Sequence, residues 1–261
     1  MSDIPAAKKS LGQHWLYDDV SLRAMCVAAD LRENEFVLEI GPGLGTLTKY
    51  LVQQVKEVLA VEYDGRLATE LINRVKADNL VVTSQDILQF DFTELPPAYK
   101  IVANIPYYLT SNLIRIISES SNPPALAVLL VQKEVAERVA AKPGAMSLLS
   151  VSAQYYWEVT LADTIPAILF TPPPKVDSQI LILHRRMTPL FKNVSEQTYF
   201  NVVKAGFSQR RKTLSNSLSG GLRLSKSEAN ALCQKADIDP GLRAQTLSLA
   251  DWHKLYLAMQ V

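Results

Sequence analysis

Apolar positions along this chain follow two rhythms that alternate for the first 185 residues. Continuous or near-continuous apolar runs at 36–40, 57–62, 80–84, 100–104, 126–132 and 179–184 read as strands, because a strand buried on both faces has no polar alternation. Between them, apolar residues recur at helical spacing over 17–30, 46–55, 66–77, 111–118 and 133–141. Strands separated by helices imply βαβ units, hence a mostly parallel sheet with helices on both faces. After Arg186 the texture changes. Met187-Thr188-Pro189 reads as a linker, and 196–207, 211–218, 225–235 and 249–259 are all helical in pattern, punctuated by Gly206 and Gly220-Gly221. Ser225 with Glu228 three residues on has the form of a capping box. The pattern predicts an α/β, Rossmann-like domain over 1–186 and a small all-α domain over 187–261.

Length and composition agree with that division. A chain of 261 residues with 48% apolar content has material for one ordinary core and a small appendage. No apolar run approaches membrane-spanning length, and the first ten residues lack the apolar stretch of a secretory signal. Cys26 and Cys233 lie far apart, so a disulfide framework is not expected and a reducing, cytoplasmic setting is. Net charge is only +1, but it is unevenly spread: residues 1–185 carry 16 basic against 21 acidic side chains, residues 186–261 carry 11 against 5. A basic tail on an acidic body points to a polyanionic partner for the tail. Within it, Arg210-Arg211-Lys212 open a predicted helix, where cations oppose the helix dipole unless an anion binds. Arg243 adds to the same surface.

The chemistry gathers at strand ends. Glu39-Ile40-Gly41-Pro42-Gly43-Leu44-Gly45 follows the first strand of the sheet, with Thr46 where a dinucleotide fingerprint places its last glycine. Such a turn lets backbone approach a nucleoside, and without a diphosphate to cradle it suits a sulfonium amino acid and ribose. Glu62 ends the next strand, where a carboxylate accepts from ribose hydroxyls. Asp86, after the third, can accept from an adenine amino group beside the apolar Ile87. An NAD-dependent oxidoreductase shares the glycine and acidic elements, but the missing glycine and the scattered His14, His184 and His253 disfavour it.

Asn104-Ile105-Pro106-Tyr107 ends the fourth strand. An exocyclic amine is a poor nucleophile because its lone pair is delocalised into the ring. An amide oxygen and a backbone carbonyl that accept its hydrogens favour a pyramidal nitrogen whose lone pair faces a methyl donor. Asn104 and the Ile105 carbonyl suit that task, Pro106 fixes the turn, and Tyr107 offers a face for stacking. The chemistry calls for neither a metal nor a covalent nucleophile, and the absence of a cysteine from this motif weighs against the thiolate route to pyrimidine-C5 methylation.

These motifs, with residues 9–16, Val61-Glu62-Tyr63-Asp64, Gln85-Asp86, Gln132-Lys133-Glu134-Val135, and the runs 170–178, 207–213 and 239–248, resemble the KsgA-type ribosomal RNA adenine N6,N6-dimethyltransferases over essentially the whole length. The resemblance implies a class I methyltransferase domain and dimethylation of two adjacent adenosines near the 3′ end of small-subunit rRNA, late in ribosome assembly. It implies S-adenosylmethionine as donor, held by His14, Leu16, Gly41, Glu62, Asp86 and Asn104, with Asn104, Tyr107 and Phe170 at the target adenine. The expected partners are the small ribosomal subunit and its rRNA, met by a monomer. The macrolide-resistance methylases of large-subunit rRNA share the glycine loop and the Asn104–Tyr107 motif, but are less similar in 170–178 and 207–213 and rank second. A non-catalytic binding factor is disfavoured by the intact motifs. His14 and Trp15 stand where the family often has Asn and Phe.

Overall fold

A computed structural model describes Lys8, residues 11–188 and residues 190–260; Pro189 of the expected linker lies outside the described residues. The chain divides into two compact units, Met1–Ala136 with Glu158–Arg185, and Glu137–Trp157 with Arg186–Val261.

The first unit holds β1 (Trp15–Leu16), α1 (Asp19–Ala28), β2 (Phe36–Ile40), α2 (Thr48–Leu51), β3 (Glu57–Glu62), α3 (Gly65–Val75), β4 (Leu80–Ser84), β5 (Lys100–Asn104), α4 (Thr110–Glu119) and β6 (Leu126–Gln132). Then α5 (Lys133–Val139) and α6 (Leu148–Tyr156) carry the chain into the second unit. It returns through β7 (Trp157–Ile165), β8 (Phe170–Thr171) and β9 (Ser178–Arg185). The main sheet has the order β4-β3-β2-β5-β6-β9-β7. Pairing from β4 across to β6 is parallel and β9 runs antiparallel to β6. Val128, Leu129, Leu130 and Val131 of β6 are fully buried, as a central parallel strand covered on both faces requires. β1 and β8 form a separate antiparallel pair.

Local chemistry sets the boundaries. Asp18 caps α1 by accepting from the Ser21 amide, and Asp64 caps α3 through Arg66. Buried Lys100 donates to the carbonyls of Ala29 and Asp30 at 2.9 and 2.7 Å and pairs with Glu35 at 2.8 Å, tying the end of α1 to β5. The helix expected over 46–55 contracts to α2, its flanks being turns.

The second unit adds α7 (Glu196–Phe207), α8 (Leu214–Leu222), α9 (Lys226–Lys235) and α10 (Leu249–Met259). Ser225 and Glu228 form the capping box expected at α9. Its core gathers Tyr155, Tyr199, Val202, Leu218, Trp252 and Tyr256. Because Tyr155 belongs to α6, residues 137–157 group with this unit, and the chain enters it twice rather than once at residue 186.

Candidate active site

In the main sheet β2 and β5 are parallel neighbours, yet the chain leaves β2 for β3 and β4 before returning to β5. At such a reversal the loops after two adjacent strands diverge and leave a crevice at their carboxyl ends. Here the crevice is a cavity of about 360 Å³. Gly41 follows β2 and Asn104 ends β5, so the glycine turn and the Asn104–Tyr107 motif face each other across it. A Cβ on Gly41 would meet Pro106 Cδ at 3.8 Å and the Asn104 carbonyl at 4.0 Å.

Gly41, Gly43 and Gly45 all have positive φ, at 66°, 57° and 79°. Only the first borders the Asn104–Tyr107 motif. A Cβ on Gly43 would lie 2.6 Å from Trp15 Cζ3, and one on Gly45 would lie 2.7 Å from Leu71 Cδ1 and 2.9 Å from Val75 Cγ2. Two of the three glycines therefore admit side chains of the fold itself.

Acidic groups sit at successive strand ends. Glu62 is buried, and its oxygens accept from the Gly43 amide at 3.0 Å and the Asp64 amide at 2.8 Å. These bonds fix the glycine turn and leave further lone pairs on both oxygens. Burial, partly opposed by the amides, raises the Glu62 pKa. Asp86 caps the turn Ile87–Gln89 by accepting from the Leu88 amide at 3.0 Å. Sequence reasoning had not singled out Glu39, which is 1% exposed with Oε2 lacking a hydrogen-bond partner among the described residues. Burial pushes it up to about 8. Its signal was its place in β2 directly before the glycine turn. Glu39, Glu62 and Asp86 all line the cavity, and no lysine or arginine lines it among the described residues. Glu62 and Asp86 make that wall suit a phosphate-free ligand with hydrogen-bond donors or positive charge rather than a dinucleotide's diphosphate, while Glu39 keeps its proton below about pH 8.

The other wall is built for a flat ring. The Asn104 carboxamide makes no hydrogen bond among the described residues, so its oxygen is available to a ligand. Pro106 starts a single helical turn, closed by Leu109 N–H donating to its carbonyl at 3.0 Å. Thr110 Oγ1 donates to the Tyr107 carbonyl at 3.0 Å, fixing the backbone that carries the ring. Tyr107 Oη lies 2.8 Å from Ser178 Oγ, a partner sequence reasoning missed.

The N-terminal arm completes the cavity. Lys8 Nζ pairs with Asp64 at 2.7 Å, a Cβ on Gly12 would meet Pro106 and Tyr108 at 3.6 Å, and Leu16 pairs with Phe170 across β1 and β8. His14 Nδ1 lies 2.7 Å from the Pro172 carbonyl, which can only accept, so Nδ1 carries the proton. The His14 ring stacks toward Tyr107 at 6.0 Å and 19°. Thus His14, Leu16, Gly41, Glu62, Asp86, Asn104, Tyr107 and Phe170 all line one cavity.

In the second unit, Arg210, Arg211 and Lys212 precede the helix rather than opening it. The expected start at 211 gives way to Leu214, with Thr213 as N-cap. The reason is local. Lys212 N–H closes a turn on the Gln209 carbonyl at 3.0 Å, while the Leu214 and Ser215 amides donate to Leu242 and Pro240 at 2.6 and 3.2 Å. Those bonds also bring Arg243 beside the triad, and all four cations are exposed. An anion here would meet side chains, since the first helix amides are already engaged.

A family model described as ribosomal RNA adenine dimethylase matches residues 4–260. The chain is 42% identical to ribosomal RNA small subunit methyltransferase A of Dehalococcoides mccartyi, covering 96% of this chain and 88% of that one. It is 38% identical to the protein of that name from Enterococcus faecalis, covering 97% and 90%. Among solved structures, a dimethyladenosine transferase from Plasmodium falciparum matches with TM-score 0.81 at 27% identity, covering 95% of this chain and 98% of that one. The 23S rRNA methyltransferase ErmE matches with TM-score 0.76 at 27% identity, covering 95% and 100%.

Proposed function

Because this chain belongs to the ribosomal RNA adenine dimethylase family, we propose that it transfers methyl groups from S-adenosylmethionine to N6 of two adjacent adenosines near the 3′ end of small-subunit (16S) rRNA, late in ribosome assembly. The observation that carries this reading is the Asn104 carboxamide, without a hydrogen-bond partner among the described residues, set beside Tyr107 in a cavity lined by Glu62 and Asp86 and, among those residues, by no lysine or arginine.

The donor fits that cavity. It bears a sulfonium, an ammonium and ribose hydroxyls, and no phosphate. Glu62 would take the hydroxyls with its remaining lone pairs, Asp86 the adenine amino group, and Ile87 one face of that ring. His14 and Leu16 cover the donor from the arm, and Gly41 leaves it room. When bound, S-adenosylmethionine supplies an electrophilic methyl group. The protein's part is to present the nucleophile: Asn104 and the Ile105 carbonyl accept the N6 hydrogens, turning the lone pair toward the methyl group, while Tyr107 and Phe170 hold the flipped base in plane. After the first transfer one hydrogen remains on N6 to be held, so the same groups serve the second. Arg210, Arg211, Lys212 and Arg243 would meet rRNA phosphates.

Small-subunit rRNA is favoured over large-subunit rRNA by the relatives at 42% and 38% identity named for the small subunit, against 27% for the 23S enzyme. Labelled donor incubated with small subunits lacking the modification tests the choice. Dimethyladenosine in 16S rRNA is expected; label confined to large-subunit RNA overturns the substrate, and label in neither overturns the activity.

A further inference from the structure

We propose that Asp177 and Ser178 are positioning residues that set the gap between the two aromatic side chains of the adenine pocket. The proposal rests on the reading of Tyr107 and Phe170 as the faces that hold the target base.

Ser178 opens β9 and is fully buried. Its place is fixed by the sheet: it sits opposite Gln132, in the same register that aligns Ile180 with Leu130 and Leu130 with Asn104. From there its hydroxyl reaches the Tyr107 hydroxyl at 2.8 Å. Stacking on a base requires only the ring, and a phenylalanine would supply it. The hydroxyl adds a second anchor at the far end of the side chain, opposite Cβ, and a ring held at both ends cannot swing away about its Cα–Cβ bond.

Asp177 grips the other face. Its backbone carbonyl accepts from the Lys133 amide at 3.0 Å, tying it to the end of β6. Its Oδ1 accepts from the Ala167 amide at 2.9 Å. Ala167 begins the single turn Ala167–Leu169, and Phe170 follows directly. Two consecutive residues therefore bear on both aromatic residues, one through the Tyr107 hydroxyl and one through the turn that leads into Phe170. A purine in van der Waals contact on both faces needs a gap of roughly 7 Å, and a drift of about half an ångström spoils alignment with an in-line methyl donor. Rigid spacing is what this pair supplies.

The test is a double-mutant cycle on single-turnover methyl transfer to undermethylated small subunits, with donor affinity measured by calorimetry. Ser178→Ala and Tyr107→Phe should each slow transfer about tenfold, the worth of one buried hydrogen bond. The double variant should be no slower than either single one, and donor affinity should stay within about twofold. Asp177→Ala should also slow transfer, through the turn that carries Phe170. RNA with 2-aminopurine at the target position should show altered fluorescence in all three single variants. Tyr107→Phe keeps the ring and removes one hydroxyl from a half-buried residue, so a full rate in that variant overturns the Ser178 assignment even if Ser178→Ala fails to fold. Equal losses for Ser178→Ala with and without the Tyr107 hydroxyl also overturn it, and full activity of Asp177→Ala overturns the Asp177 half. Wild-type protein that methylates no rRNA adenine would sink the functional reading instead.

Discussion

The indole of Trp15 occupies the space that a side chain on Gly43 would need, with Cζ3 2.6 Å from the position of a Cβ. The glycine turn and the N-terminal arm are thereby locked together, since Trp15 belongs to β1 and pairs with Thr171 of β8. Gly43→Ala must displace the ring and also hold φ near 57°. It should cost at least about 2 kcal/mol and weaken donor binding through the loosened arm. Denaturant unfolding and calorimetry check this; unchanged stability would contradict the contact.

Glu39 makes stability depend on pH. Burial lifts it from the ordinary 4.5 to about 8. Between those values the folded chain keeps a proton that the unfolded chain has released. The stabilisation is therefore complete below about pH 4.5 and is lost as pH rises through about 8. Glu39→Gln removes the dependence. Between pH 5 and 8.5 the wild type should lose on the order of 4 kcal/mol relative to that variant. Parallel stability curves from denaturant titrations would refute the assignment.

Exposed Arg210, Arg211 and Lys212 should act on RNA affinity and leave chemistry alone. Replacing all three with alanine should weaken binding to small subunits and lower the slope of log affinity against log salt by about 2 to 3. The transfer rate at saturating RNA should hold. An unaltered slope would remove the triad from the interface.

How legible all this was in the sequence follows from burial. β2, β3, β4, β5 and β6 have the expected bounds, because strands inside a covered parallel sheet are near-continuous apolar runs and the edge strand β4 still opens on Leu80-Val81-Val82. β7 escaped, since its outer residues are exposed and polar and produce no such run. The candidate site divides the same way. Gly41, Glu62, Asp86 and Asn104 stand at strand ends, where topology alone puts them together. Trp15 against Gly43 and Ser178 against Tyr107 depend on short pairings between distant segments. His14, for example, meets Pro172 at a separation of 158 positions, and local periodicity carries no trace of that.

The central claim is that the Asn104 carboxamide presents an adenine amine for methylation, and Asn104→Ala tests it most directly. Single-turnover transfer to undermethylated small subunits should fall about 100- to 1000-fold, while affinity for those particles changes less than about twofold. Transfer at the wild-type rate by Asn104→Ala would contradict the account.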